Sequence, residues 1–220
     1  MMFYFVLFLL GGFIIYNIMV RVKKYNTEPF VTPQKWKDIL FSKVLFYQRL
    51  EQEQQEHFEE DVFKFLKNIK ITGAKGAEVT LEDRLLVASS AVIPLFGFPQ
   101  WHYTYLDEVI LYPSAFDLNF NLRNPNQIVT GLVGTGGEME GKMILSKPAL
   151  HFGFDVNNDK KNVAIHEFVH LFDKEDGEID GIPPGFEDNS FTLPWVELMR
   201  RKTIEILNEE SDINLSLIHI

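Results

Sequence analysis

The chain has 220 residues, 46 % of them hydrophobic and 24 % charged, enough for one domain with a sizeable core. With 31 acidic against 21 basic residues the net charge is −10, and no basic stripe is present to neutralise phosphates, which argues against direct binding of nucleic acid. Cysteine is absent, so there are no disulfides or thiolate metal ligands, which fits a reducing compartment.

Met1 to Val20 carries no charge. An apolar helix of that length spans ~30 Å, the thickness of a bilayer core. Arg21, Lys23 and Lys24 follow at once. The run lacks the basic lead-in and small-x-small cleavage site of a signal peptide. A single transmembrane anchor over 1–20 is therefore expected, with the rest of the chain in the cytoplasm by the positive-inside rule. A linker over 21–31 leads to Thr32-Pro33, a helix start with Thr as N-cap.

From there Trp36, Ile39, Leu40, Val44, Leu45 and Phe46 recur at helical spacing. A second helix is predicted over 52–69, with Phe58, Val62, Phe65, Leu66 and Ile69 as its apolar stripe. Its charge run EQEQQEHFEED reads as a solvated face, and His57 within it as exposed and without a role. ITGAKGAEV breaks the helical pattern. Thr80 to Asp83 forms a capping box, and the apolar helix LEDRLLVASSAVIPLF that follows should be buried and end at Pro94 and Gly97-Phe98-Pro99. Strands are predicted over 108–113, 127–133 and 142–146. GTGGEMEG between the last two has no phosphate-loop lysine, so it reads as a hairpin connection. Asn157-Asn158-Asp159 supplies an N-cap for the next helix, 180–184 is a loop, and 194–208 has the spacing of an amphipathic helix.

The chemistry lies in NVAIHEFVHLFD, residues 162–173. His166 and His170 stand four apart, so on a helix both imidazoles reach one side and can bind one Zn²⁺ at about 2.0–2.1 Å. Glu167 sits one residue along, where it reaches an attacking water, accepts its proton and returns it to the leaving amine. Two histidines and a glutamate in an otherwise apolar helix are costly to bury without partners, and a metal supplies one. Asp173, three residues after His170, either orients an imidazole N–H or serves as a third ligand. Glu197, 27 residues after His170 on the predicted helix, is a weaker candidate for that ligand.

EVTLEDRLLVASSAVIPLFGFP (78–99), VILYPSAF (109–116), GKMILSKPAL (141–150), NVAIHEFVHLFD and DGEIDGIPP (176–184) together resemble the MtfA-like zinc metallopeptidases, the Mlc titration factor A family. The likeness runs from about Phe30 to Asn214. It implies a zincin-like α+β domain over 32–214, related to the catalytic domain of anthrax lethal factor, with aminopeptidase-like hydrolysis of small peptides. His166 and His170 match the family's zinc ligands and Glu167 its catalytic glutamate. The strand at 142–146 is then expected to pair with an extended peptide or protein substrate. Enteric members also bind a glucose-responsive transcriptional repressor. This leaves a second reading: a regulatory binding protein that sequesters such a regulator, its zinc site structural or vestigial.

The family's third zinc ligand is a glutamate on a later helix, with a tyrosine just upstream, and both are expected beyond Ile220. LSLIHI (215–220) reads as the translation of CTG TCT CTT ATA CAC ATC, a transposon end used in sequencing libraries. The expectation is that these residues are an assembly artefact, and that a chain ending there binds zinc weakly and is inactive.

Overall fold

The computed structural model describes residues 31–97, 102–117, 121–122, 129–134, 137–155 and 162–176, together with 197, 200, 201 and 204. The chain divides into two units, Met1–Pro33 and Gln34–Ile220, and the elements below belong to the second. The expected anchor over 1–20, the loop over 180–184 and the tail over 215–220 lie outside the described residues. No helix among the described residues is long and apolar enough to cross a membrane.

Helices α1 (Gln34–Lys43) and α2 (Leu45–Gln48) are one apolar pattern broken at Val44, whose φ of −107° and ψ of 94° are extended. Leu40, Val44 and Tyr47 are buried across the break. Helix α3 (Gln52–Asn68) falls where its periodicity predicts, capped by Glu51 with Gln54. Its acidic face is not wholly solvated, contrary to expectation. Glu59 is buried because Tyr47 Oη donates to it at 2.6 Å and Lys37 Nζ lies 3.1 Å away. Those two partners offset the cost of taking the carboxylate out of water. His57 is exposed as predicted, 3.4 Å from Asp61.

Strand β1 (Lys70–Gly73) occupies the stretch that in sequence reads only as a break. Helix α4 (Leu81–Leu95) begins at the predicted capping box: Asp83 N donates to Thr80 Oγ1 at 3.2 Å, and Thr80 N donates to Asp83 Oδ2 at 2.7 Å. It is buried from Leu85 to Val92 and runs through Pro94 instead of stopping there. Only its last residue follows the proline, so little helix is left to lose.

Strands β2 (Glu108–Tyr112), β3 (Gly131–Val133) and β4 (Lys142–Ser146) join β1 in a sheet of order β1-β2-β4-β3. β1, β2 and β4 are parallel, and β3 runs antiparallel to β4 at the edge. The predicted strand over 127–133 is thus shorter, and the connection from Gly134 to Gly141 carries a 3₁₀ turn at Gly137–Met139. β4 has strands on both sides, so it has no free edge for a substrate; that expectation is corrected, because the outer position belongs to β3. Alternation along the strands sends Val109, Leu111, Met143 and Leu145 into the main core with the helices. Tyr112 and Ile144 face the opposite side with Phe116. Helices α5 (Lys147–Gly153) and α6 (Val163–Asp173) complete a mixed α+β domain, the predicted class.

Candidate active site

Helix α6 carries HEFVH. Its N-cap is Asn162, not the predicted residues 157–159, which lie outside the described set. The cap must directly precede the first helical residue, and the helix starts at Val163. Asn162 Oδ1 accepts from Ile165 N at 3.0 Å, and its Nδ2 donates to Gly153 O at 3.0 Å, tying the start of α6 to the end of α5. A Cβ on Gly153 would come 2.7 Å from Asn162 Cγ, so this close approach requires glycine. Ala164, Phe168 and Leu171, spaced four and three apart, form the buried side. Phe168 is fully buried against Tyr103 and Phe65, with ring centroids 5.1 and 5.7 Å away. Tyr103 Oη donates to Ala91 O at 2.7 Å and so links this packing to α4.

With that side fixed, the polar residues have a defined direction. The half-buried His166 and His170 bring their Nε2 atoms to 3.0 Å, rings 4.4 Å apart and inclined by 80°. Nitrogens shared by one zinc at about 2.0–2.1 Å with tetrahedral angles sit ~3.3 Å apart, so the pair fits a metal with only a slight opening.

Glu167 is 7 % exposed and takes no hydrogen bond or ion pair among the described residues. Burial pushes its carboxyl up to about 7 from an ordinary 4.5, because the charged form has lost its water. Its side chain lies against Gly131 on β3; a Cβ there would be 2.7 Å from Glu167 Cγ and 2.8 Å from Oε1. Gly131 is a site residue that sequence reasoning missed. The available signal was a glycine inside a strand, which often marks a close approach.

Asp173 is buried at the end of α6, and Glu197 is exposed on a helical turn. The structure brings His166 and His170 together, with Glu167 next to His166 in the same helix and its side chain against Gly131. Among the described residues no group of three His, Asp or Glu side chains gathers as a metal site, so neither Asp173 nor Glu197 joins the pair in one.

Two converging imidazoles and a buried carboxyl on one helix are groups that a metallopeptidase centre can use. Comparison with known families gives the same class: the model described as glucose-regulated metallo-peptidase M90 matches residues 18–219. The chain belongs to this family of MtfA-like metallopeptidases, and membership implies a metal cofactor. An uncharacterised protein of Synechocystis sp. (strain ATCC 27184 / PCC 6803 / Kazusa) is 28 % identical over 182 residues, which cover 80 % of this chain and 66 % of the relative. The chain therefore spans a little under two thirds of that relative's length.

Proposed function

We propose that this protein is a zinc-dependent peptidase, aminopeptidase-like, anchored by residues 1–20 with its domain in the cytoplasm. The observation that carries the catalytic part is Glu167: a buried carboxyl with no partner among the described residues, one position from His166 and three from His170, whose Nε2 atoms converge. A structural metal site has no use for such a group, because an unpaired buried carboxyl only costs stability. A general base does, because a group titrating near neutral pH takes and returns protons most effectively.

His166 and His170 would hold the zinc, with a third ligand from outside the described residues. When bound, zinc supplies Lewis-acid polarisation of the scissile carbonyl and makes water in the site more acidic. Glu167 accepts the proton of the attacking water at its carboxylate and passes it to the leaving amine.

The sheet edge supports a peptide as substrate. Thr130 O accepts from Ser146 N at 2.8 Å and Gly134 N donates to Lys142 O at 2.9 Å, with Leu132 opposite Ile144. In that antiparallel register the N–H and C=O of Gly131 and Val133 turn away from β4. No strand pairs with them among the described residues. An extended peptide bonded to that edge would pass directly beside Glu167.

The test is Glu167→Gln in the full-length protein. Hydrolysis of peptide substrates should fall by about 10²–10⁴-fold while bound zinc stays stoichiometric. Hydrolysis at the native rate in the variant would overturn the catalytic reading and leave the regulatory binding protein as the better description.

A further inference from the structure

Four glycines of the sheet region are too crowded to accept a side chain, and they differ in what crowds them; at Gly141 it is the side chain of Asp107, where a positive φ already calls for glycine. A Cβ on Gly73 or Gly134 would strike backbone, the carbonyl oxygens of Ala77 and Met139. Those glycines serve the fold. A Cβ on Gly131 would strike a side chain, with Glu167 Cγ at 2.7 Å, Oε1 at 2.8 Å and Cδ at 3.0 Å.

We propose that Gly131 is a positioning residue for Glu167: the missing side chain on β3 forms a slot that seats the carboxyl end of Glu167. The proposal rests on the reading of Glu167 as the general base.

Backbone conformation does not explain this glycine. Among the described residues the glycines with positive φ are Gly76, Gly137 and Gly141, and Gly131 is not one of them. Any residue can adopt its conformation, and a β-branched residue would strengthen so short a strand. The close approach of Glu167 is what remains. β3 is held by its ladder to β4, with Gly131 opposite Leu145, whereas Glu167 ends in a flexible carboxyl. Added bulk at 131 would therefore displace Glu167 and spare the strand. The fold would survive while the carboxyl lost its place.

The test is Gly131→Ala in the full-length protein, read in two ways. In the zinc-loaded protein kcat should fall about 100-fold, with KM and zinc content within twofold of native. Combined with Glu167→Gln, the same substitution should cause no further loss. In the metal-free protein the thermal midpoint should drop with Gly131→Ala alone and show no drop when Gly131→Ala is added to Glu167→Ala, because the clash has gone. Equal drops in both backgrounds, or a native kcat in Gly131→Ala, would overturn the proposal. If Gly131→Ala alone fails to fold, recovery of the fold by adding Glu167→Ala supports the slot, and no recovery overturns it. An absence of hydrolysis by the native protein would instead overturn the peptidase reading, and the metal-free comparison still decides whether Gly131 seats Glu167.

Discussion

Asp83 and Glu167 are carboxyls buried in neighbouring helices, and they are treated in opposite ways. Asp83 on α4 is fully buried and fully served. Lys147 Nζ lies 2.9 Å from Oδ2, His151 Nε2 lies 2.7 Å from Oδ1, and Thr80 donates from both its backbone and its hydroxyl. Burial pushes its pKa up, but the bonds from Lys147, Thr80 and His151 outweigh it and hold the carboxyl below its ordinary value. Glu167 on α6 has none of this, and burial alone raises it to about 7. The first joins α4 to α5, a structural task. The second is buried without a partner among the described residues, at a cost in stability, which suits the proton acceptor proposed above. The contrast shows that burial alone does not mark a functional acid; burial without partners does.

Substitutions on the two sides should move stability in opposite directions. Asp83→Asn should be the most damaging, at about 3 kcal/mol in chemical denaturation, because it leaves Lys147 and His151 facing a neutral group. The penalty depends on pH with a definite sign. A depressed folded pKa gives stability that is present above the unfolded value of about 3.9 and is lost as pH falls through the folded one. Native and variant midpoints should therefore converge in acid.

Glu167→Gln should do the reverse in the metal-free protein. The native carboxyl ionises at about 4.5 when unfolded and about 7 when folded, so its penalty grows between those values and persists above them. The variant should gain about 1–2 kcal/mol at pH 8, since the amide still lacks a partner, and the gain should vanish below pH ~4.5. A stabilised variant that no longer hydrolyses peptide would sharpen the comparison; a destabilised one would break it. The smallest effect concerns how α6 is held. Asn162→Ala should lower the thermal midpoint by the equivalent of about 1 kcal/mol and leave zinc content unchanged.

Much of this was legible in the sequence. The periodicity of α3, the Thr80–Asp83 capping box, strands β2 and β4, and His166, Glu167 and His170 on one helix all follow from local pattern. What was missed depends on distant partners. β1 is a four-residue strand whose pairing runs to Glu108–Leu111, so KITG alone holds no alternation to recognise. Glu59 reads as solvated until Tyr47 and Lys37 are seen to reach it. Asn162 rather than 157–159 caps α6 because Gly153 leaves room for it. The crowding at Gly131 appears only when β3 meets α6, and no spacing rule within either segment predicts it.

The site thus combines parts of very different sequence range. His166 and His170 are neighbours across one helical turn, whereas Glu167 meets its seat 36 residues away in the chain, at Gly131. A helical turn forms in well under a microsecond, and non-local pairing is slower by orders of magnitude. During folding, the paired imidazoles can therefore form before Glu167 meets Gly131. On the reading proposed above, a metal count would then set only an upper limit on the fraction of competent molecules, and counting those would call for titration of the site itself.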